Sequence, residues 1–377
     1  MQKKRLCALA MRVVYHLQKK LPHLHGQPIR TLVMMVTAFL AGGGPSLGQM
    51  GRCLRDLPGS LDQKVKRMSR FLCESRFDVL EAFLSVARGI IEAVAHAHPK
   101  RMILVSMDWT DLGKYQGLWL SLPYQGRALP LACMVLEKAK ALGSMTAMEE
   151  ELLKRFFGLF SPALRDRLVL LADRGFAKRD LWDLIEQWGA HWAIRIPRNC
   201  HILVDGKWIE LKELGLNPGQ TKILRAVPCL QEDPRTVNLA IRRLRTGEAK
   251  DPEDDTWYIA TDAQDIPLAL SWYSRRFQIE ELFRDLKSRL HMHEHRLRTE
   301  ESVGKMMLIV ALAYLIVLED GTQWRGRLDL DRIQRSTPWG KLSVYRIAEI
   351  CFELNLCEVP ELMEEAVLSR WTNRRAA

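Results

Sequence analysis

The sequence predicts an α/β fold: a core of alternating strands and helices with a β-rich insertion, preceded by an all-helical basic region. Three observations lead there. Residues 1–95 show helical periodicity and almost no strand signal. From residue 102 three apolar strand-like runs follow one another, and then strand and helix alternate. Between 198 and 262 short β segments interrupt that alternation.

The N-terminal region divides into candidate helices at 3–20, 30–41, 46–55, 62–72 and 77–95, separated by breaks such as GGGP and LPGS. It also carries the charge. The chain of 377 residues has a formal net charge of +11, and residues 1–70 hold 13 Lys and Arg against two acids, Asp56 and Asp62. The rest of the chain balances. Small basic helices joined by short turns suit a polyanionic partner. Lys64, Lys66, Arg67 and Arg70, spaced along one candidate helix, are the expected DNA contacts. A merely basic helical cap is the plainer alternative.

The core elements follow in order. RMILVSMDWTD reads as a buried strand, and GLWLSLPYQ and LPLACMVLEK as two more in a meander. A helix at 146–159, the strand LVLLAD (168–173), a helix at 176–189 and the strand HWAIRIP (191–197) come next. This is the order of a ribonuclease-H-like fold. The insertion comprises HILVDGKWIEL, TKILRAV, TVNLAIRRLR and TWYIATD, with a polar loop at 246–255. A helix over about 269–290 returns to the core, and an apolar helix at 303–318 packs behind it. The expected domains are 1–95, a core in two parts at 96–197 and 266–345, the insertion at 198–265, and a helical tail at 346–377.

Other classes are excluded. Eight scattered cysteines without a C-x-x-C pair argue against a disulfide framework and suit a reducing cytoplasm. The apolar run at 306–318 has 13 residues, too few to span a bilayer, so no membrane partner is expected. There is no Walker loop, dinucleotide fingerprint or nucleophile elbow. The HMHEH tract at 291–295 lacks a supporting carboxylate at transition-metal spacing and reads as a solvated or DNA-facing segment.

Two acids stand out. Asp108 and Asp173 each end a strand of nearly unbroken apolar residues, where an ionised carboxylate is costly unless paired or bound to a cation. Hard oxygen ligands suit Mg²⁺. A third acid is needed to hold two ions, and Glu280 borders the apolar stripe of its helix while Glu281 points away. Each acid also has a plain reading, Asp108 capping the turn to Asp111 and Asp173 capping the DRGF turn. Two Mg²⁺ ions held by Asp108, Asp173 and Glu280 would carry out in-line displacement at phosphorus. Beside Glu280, the stretch WYSRRFQIEELFRDLK places Tyr273, Arg276 and Lys287 within an arc of about 60° on a continuous helix. On that stretch alone, a solvated face with helix ion pairs reads equally well.

Tyr273, two residues, Arg276, three residues, Glu280, six residues, Lys287 resembles the signature of the insertion sequence four family of bacterial DDE transposases. The resemblance covers about 102–320. It implies a transposase that cuts and joins DNA by a cut-and-paste route, often through a hairpin on the transposon end. It implies Asp108, Asp173 and Glu280 as the catalytic triad on two divalent ions (Mg²⁺, with Mn²⁺ as a substitute). Tyr273, Arg276 and Lys287 would hold phosphates. The partners implied are double-stranded DNA, as terminal inverted repeats and target, and a second copy in a synaptic dimer; a cytoplasmic, nucleoid-associated bacterial location is expected. In related transposases an aromatic residue follows the clamp arginine; here it is Phe277, positioned to stack on a displaced base or to pack on the insertion. A nuclease of the same fold without strand transfer, and a catalytically inactive DNA-binding relative, are the alternatives.

Overall fold

The computed structural model describes residues 2–21, 24–74, 76–141, 143–248, 255–325, 343 and 345–347. The chain divides into two compact units: 1–86 with 111–116 and 283–377, and 87–110 with 117–282. This division groups 283–325 with the N-terminal helices, whereas the sequence reading takes 266–345 as part of the core. The expected tail lies, from 348 on, outside the described residues, as do 249–254 of the polar loop.

The first unit is helical. It contains α1 (Gln2–Lys20), α2 (Gly26–Ala38), α3 (Leu47–Cys53), α4 (Leu61–Leu72), the first part of α5 (Val79–Ala97) and a long helix, α11 (Glu300–Arg325). Ser60 starts α4 with a capping box: its hydroxyl accepts from Gln63 N–H while the Gln63 side chain reaches back to the Ser60 N–H. α11 is 26 residues long, so the apolar run seen in the sequence is only its middle. Among the described residues it is the one helix long and apolar enough to cross a membrane, and it is buried among α1, α2 and α4. Several of its charges are paired within the unit. Asp320 pairs with Arg12, Glu319 with Lys20 at 3.0 Å, and the buried Lys305 ammonium donates to the Leu72 and Glu74 carbonyls.

The second unit is built on one mixed sheet of ten strands. Three form a meander, β1 (Ile103–Leu112), β2 (Tyr115–Tyr124) and β3 (Arg127–Glu137). β4 (Leu168–Ala172) and β5 (His191–Arg195) then run parallel to β1, and α6 (Met145–Phe157), α7 (Pro162–Arg165) and α8 (Arg179–Gln187) connect them. The insertion supplies β6 (His201–Val204), β7 (Lys207–Glu210), β8 (Thr221–Cys229), β9 (Arg235–Arg243) and β10 (Thr256–Thr261). The order is β3-β2-β1-β4-β5-β10-β9-β8-β6-β7. The insertion therefore extends the core sheet, since β10 pairs antiparallel with β5. β10 is buried along Tyr258–Thr261, which makes it an interior strand rather than the edge of a separate module.

α9 (Ile266–Tyr273) packs on this sheet, with Ile266, Ala269 and Tyr273 set against Val169, Leu171, Ala193, Ala240 and Ile259. α10 (Gln278–Ser288) follows. The single helix expected over 269–290 is thus broken. Between the two, Arg276 N–H bonds to Tyr273 C=O, Ile279 to Arg276 and Glu280 to Phe277, a run of tight i→i−3 bonds. Such a turn has about three residues per revolution, so Tyr273 and Arg276 stand one above the other.

Candidate active site

The site starts from a register. β1 and β4 are parallel, with Met107 opposite Ala172, so the next residues on the two strands are Asp108 and Asp173. Neighbours in parallel register project from the same face of a sheet. Asp108 does not end its strand: β1 runs four residues further. Its Oδ1 accepts the Trp109 N–H at 2.9 Å. Asp173 does leave the end of β4, and it caps the following turn, Oδ1 accepting from Gly175 N–H at 2.9 Å. A Cβ on residue 175 would stand 3.2 Å from that oxygen, so glycine leaves the capping contact uncrowded. The turn-capping reading of Asp173 and the site reading thus use the same side chain; Oδ2 faces elsewhere.

What it faces is Arg276. This side chain is 6 % exposed, and its guanidinium lies among three carboxylates from three elements. Nη1 is 3.3 Å from Asp108 Oδ2 and 3.5 Å from Glu280 Oε1, and Nη2 is 3.8 Å from Asp173 Oδ2. Nε donates to the Tyr273 hydroxyl at 3.4 Å. Burial opposes the charge on Arg276, but Tyr273, Asp108 and Asp173 more than offset it, and the guanidinium is held more firmly protonated than usual. Burial pushes the Asp108 carboxyl up to about 6; Arg276 opposes the rise, and Asp173 and Glu280 add to it. Burial also raises Tyr273. A lone buried arginine would be costly, and so would each carboxylate. Together they form one network.

The sequence assigned Arg276 to a phosphate. The structure places it at the centre of the carboxylates. Glu281, the rival acid, is turned away and bonded to Arg127 at 2.9 Å. Lys287 lies in the last turn of α10. Of the two expectations for Phe277, a displaced base or packing on the insertion, the structure shows packing. Its ring stacks on Trp257 at 5.4 Å, meets Tyr273 edge-on at 6.1 Å and lies 5.3 Å below the Arg276 guanidinium. The tight turn allows this, because it rotates Phe277 back towards β10.

The basic residues of α4 are also redistributed. Lys64 is buried, and its ammonium donates to the Leu54 and Leu57 carbonyls at 2.8 and 2.7 Å. It closes the chain after α3, a structural role that its expected contact to DNA did not include. Burial lowers its pKa, and Asp56 opposes that. Arg67 donates to Thr31 Oγ1 at 3.0 Å, Lys66 pairs with Asp62 on the surface, and Arg70 is exposed. His291 of the HMHEH tract bonds to Glu294, and His295 sits against Tyr115.

Sequence reasoning missed Glu149. This buried carboxylate on α6 accepts from Trp109 Nε1 at 3.0 Å and from Lys178 Nζ at 2.9 Å. It ties the residue after Asp108 to the segment after Asp173. Nothing in the run MEEEL marks it out.

A hard divalent cation suits this donor set, since the three carboxylates converge on a single positive centre. Among the described residues no three His, Cys, Asp or Glu side chains already stand at metal-ligand spacing. In this structure the guanidinium supplies the positive charge instead. Acids gathered from two adjacent strands and a helix, around one cationic centre on a mixed sheet, define an enzyme of the transposase and nuclease kind. The transposase DDE domain family matches residues 109–316, more than half of the chain, and the chain belongs to that family. The matched segment opens at the residue after Asp108 and contains Asp173 and Glu280. Members typically use divalent metals, and a transposase domain implies binding to DNA. Comparison with curated proteins gives no match.

Proposed function

We propose that this chain is a transposase of the insertion sequence four family that excises DNA by a cut-and-paste route through a hairpin. The observation that carries the reading is the convergence of Asp108, Asp173 and Glu280 on Arg276 inside a transposase domain. The order β3-β2-β1-β4-β5, with β1, β4 and β5 parallel, supports a ribonuclease-H-like core. The spacing of Tyr273, Arg276, Glu280 and Lys287 supports the narrower family.

Asp108, Asp173 and Glu280 would hold two divalent ions, Mg²⁺ or Mn²⁺. Such ions supply charge for the phosphorane-like transition state and activate the attacking oxygen. The chain's own residues do the rest. Asp173, fixed by the Gly175 N–H, presents one oxygen to the site. Arg276 balances the carboxylates before DNA arrives and lies where a strand phosphate must pass. Tyr273 holds Arg276 in place. Lys287 binds the strand further along α10, with Lys66, Arg67 and Arg70 of the basic helical region gripping the duplex. The enzyme would act as a dimer on terminal inverted repeats in the bacterial cytoplasm.

The test uses the full chain, Mg²⁺ and duplexes taken from the DNA flanking its reading frame. Asp108→Ala, Asp173→Ala and Glu280→Ala should each abolish nicking and hairpin formation while end binding persists. Glu281→Ala should cut nearly as well as wild type. Mg²⁺-dependent cleavage at a near-normal rate by any of the three would sink the triad.

A further inference from the structure

The second unit contains a cavity of about 290 Å³ beside β5, β9 and β10. Arg174, Arg195, Arg198, Lys212 and Arg243 line it, with Tyr258 on one wall. The one lining carboxylate is Asp255, and Arg243 holds it at 2.8 Å. Arg243 also donates to the Leu216 carbonyl at 2.7 Å, so it forms part of the frame. Arg195 is 9 % exposed and donates to the Thr256 carbonyl at 3.0 Å. Arg198 and Lys212 stand at the surface, and Lys212 reaches Glu210.

Five cations gathered around one small cavity make its interior favourable to an anion, whatever protein partners they also have. A guanidinium fork fits phosphate in particular. The position narrows the ligand further. Arg174 directly follows Asp173, and Arg195 ends β5, the strand that pairs with β4. The cavity thus lies on the strands that flank the carboxylates.

We propose that this cavity is a phosphate-binding site and that it takes a backbone phosphate of the DNA strand held at Asp108, Asp173 and Glu280. Arg195 and Arg243 form its rigid floor, and Arg198 and Lys212 are the adjustable donors at its mouth. The assignment of the phosphate to DNA rests on the reading of the chain as a transposase. The chemistry of the cavity is shared with free phosphate compounds, and the experiment separates the two sources.

The test compares the wild-type full chain with the double variant Arg198→Gln/Lys212→Gln. Both residues are exposed and their surface pairing adds little stability, so the fold is kept; equal melting temperatures check this. Binding of a labelled blunt duplex is followed in chelator, where no cleavage occurs, over a salt series. Removal of one phosphate contact should flatten the slope of log K against log salt by about 1. Affinity at low salt should fall about tenfold, the loss of one charge-assisted contact. In a second arm, inorganic pyrophosphate should raise the wild-type melting temperature, compete with the duplex, and do neither for the double variant. If pyrophosphate protects the wild type but the duplex slope is the same in both proteins, the site takes a free phosphate compound and the assignment to DNA falls. If neither pyrophosphate nor the slope distinguishes the proteins, the site is refuted. A wild type that binds no duplex at all defeats the transposase reading instead, and the pyrophosphate arm still judges the cavity.

Discussion

Asp108→Asn should make the metal-free protein more stable while abolishing cleavage. The carboxyl is buried between Asp173 and Glu280, and even with Arg276 beside it its pKa stands at about 6 rather than 3.8. That difference costs the ionised form about 3 kcal/mol. The amide keeps the oxygen that accepts the Trp109 N–H and removes the charge. Arg276 loses one of three carboxylate partners, so the measured gain should be somewhat below that figure. The sign follows from linkage. A carboxyl whose folded pKa is raised stabilises the fold below its unfolded pKa, and this stabilisation is lost as pH rises through the folded value. Variant and wild type should therefore melt together below about pH 4 and separate between about pH 4 and 6. Above about pH 7 the variant should melt roughly 6–12 °C higher for a unit of this size. Differential scanning fluorimetry in chelator across that range is sufficient. Added Mg²⁺ should raise the wild-type melting temperature more than the variant's. A variant that melts below wild type near pH 8, or a difference independent of pH, would refute the electrostatic account.

Three further outcomes follow from the same contacts. Lys64→Met should lower stability by about 1–3 kcal/mol, because the Leu54 and Leu57 carbonyls lose their buried donor. Its DNA affinity measured below the transition should change little; a large loss there without destabilisation would show Lys64 to be a DNA contact. Phe277→Ala should cost about 2 kcal/mol of stability from the lost packing on Trp257, and should slow nicking and hairpin formation alike. A hairpin step slowed selectively, with unchanged melting, would instead show the ring stacking on a displaced base. Glu149→Leu should destabilise by about 3 kcal/mol or more, since Lys178 and Trp109 both lose their acceptor; stability equal to wild type would show that the network adds nothing.

The three acids were legible in the sequence because two of them are polar residues in apolar strands, and burial explains such a residue only through a partner. β4 was legible for a similar reason: LVLLA is a short, continuous apolar run. The break between α9 and α10 was not. SWYSRRFQ contains no proline or glycine, so nothing in its composition marks the tight turn that separates the two helices. The structural role of Lys64 was hidden because a basic residue on an amphipathic helix looks the same whether it meets water, a phosphate or two carbonyls. The length of α11 was hidden because its charged ends are matched by Arg12, Lys20 and the Leu72 and Glu74 carbonyls, all remote in sequence.

The single sheet that runs from the meander through β5 into β10 has a mechanical meaning. Strands in a sheet sit about 4.8 Å apart and are held by a ladder of bonds that open only together. Asp173 leaves β4, Arg195 lies on β5 and Tyr258 on β10, so the acid and the cavity wall are separated by about two strand spacings and share one hydrogen-bonded frame. The distance from the acid to the cavity wall is therefore set by the spacing of the sheet rather than by a loop. Changes in length are best accommodated at the two margins, β3 and β7, each of which has a neighbour on one side alone.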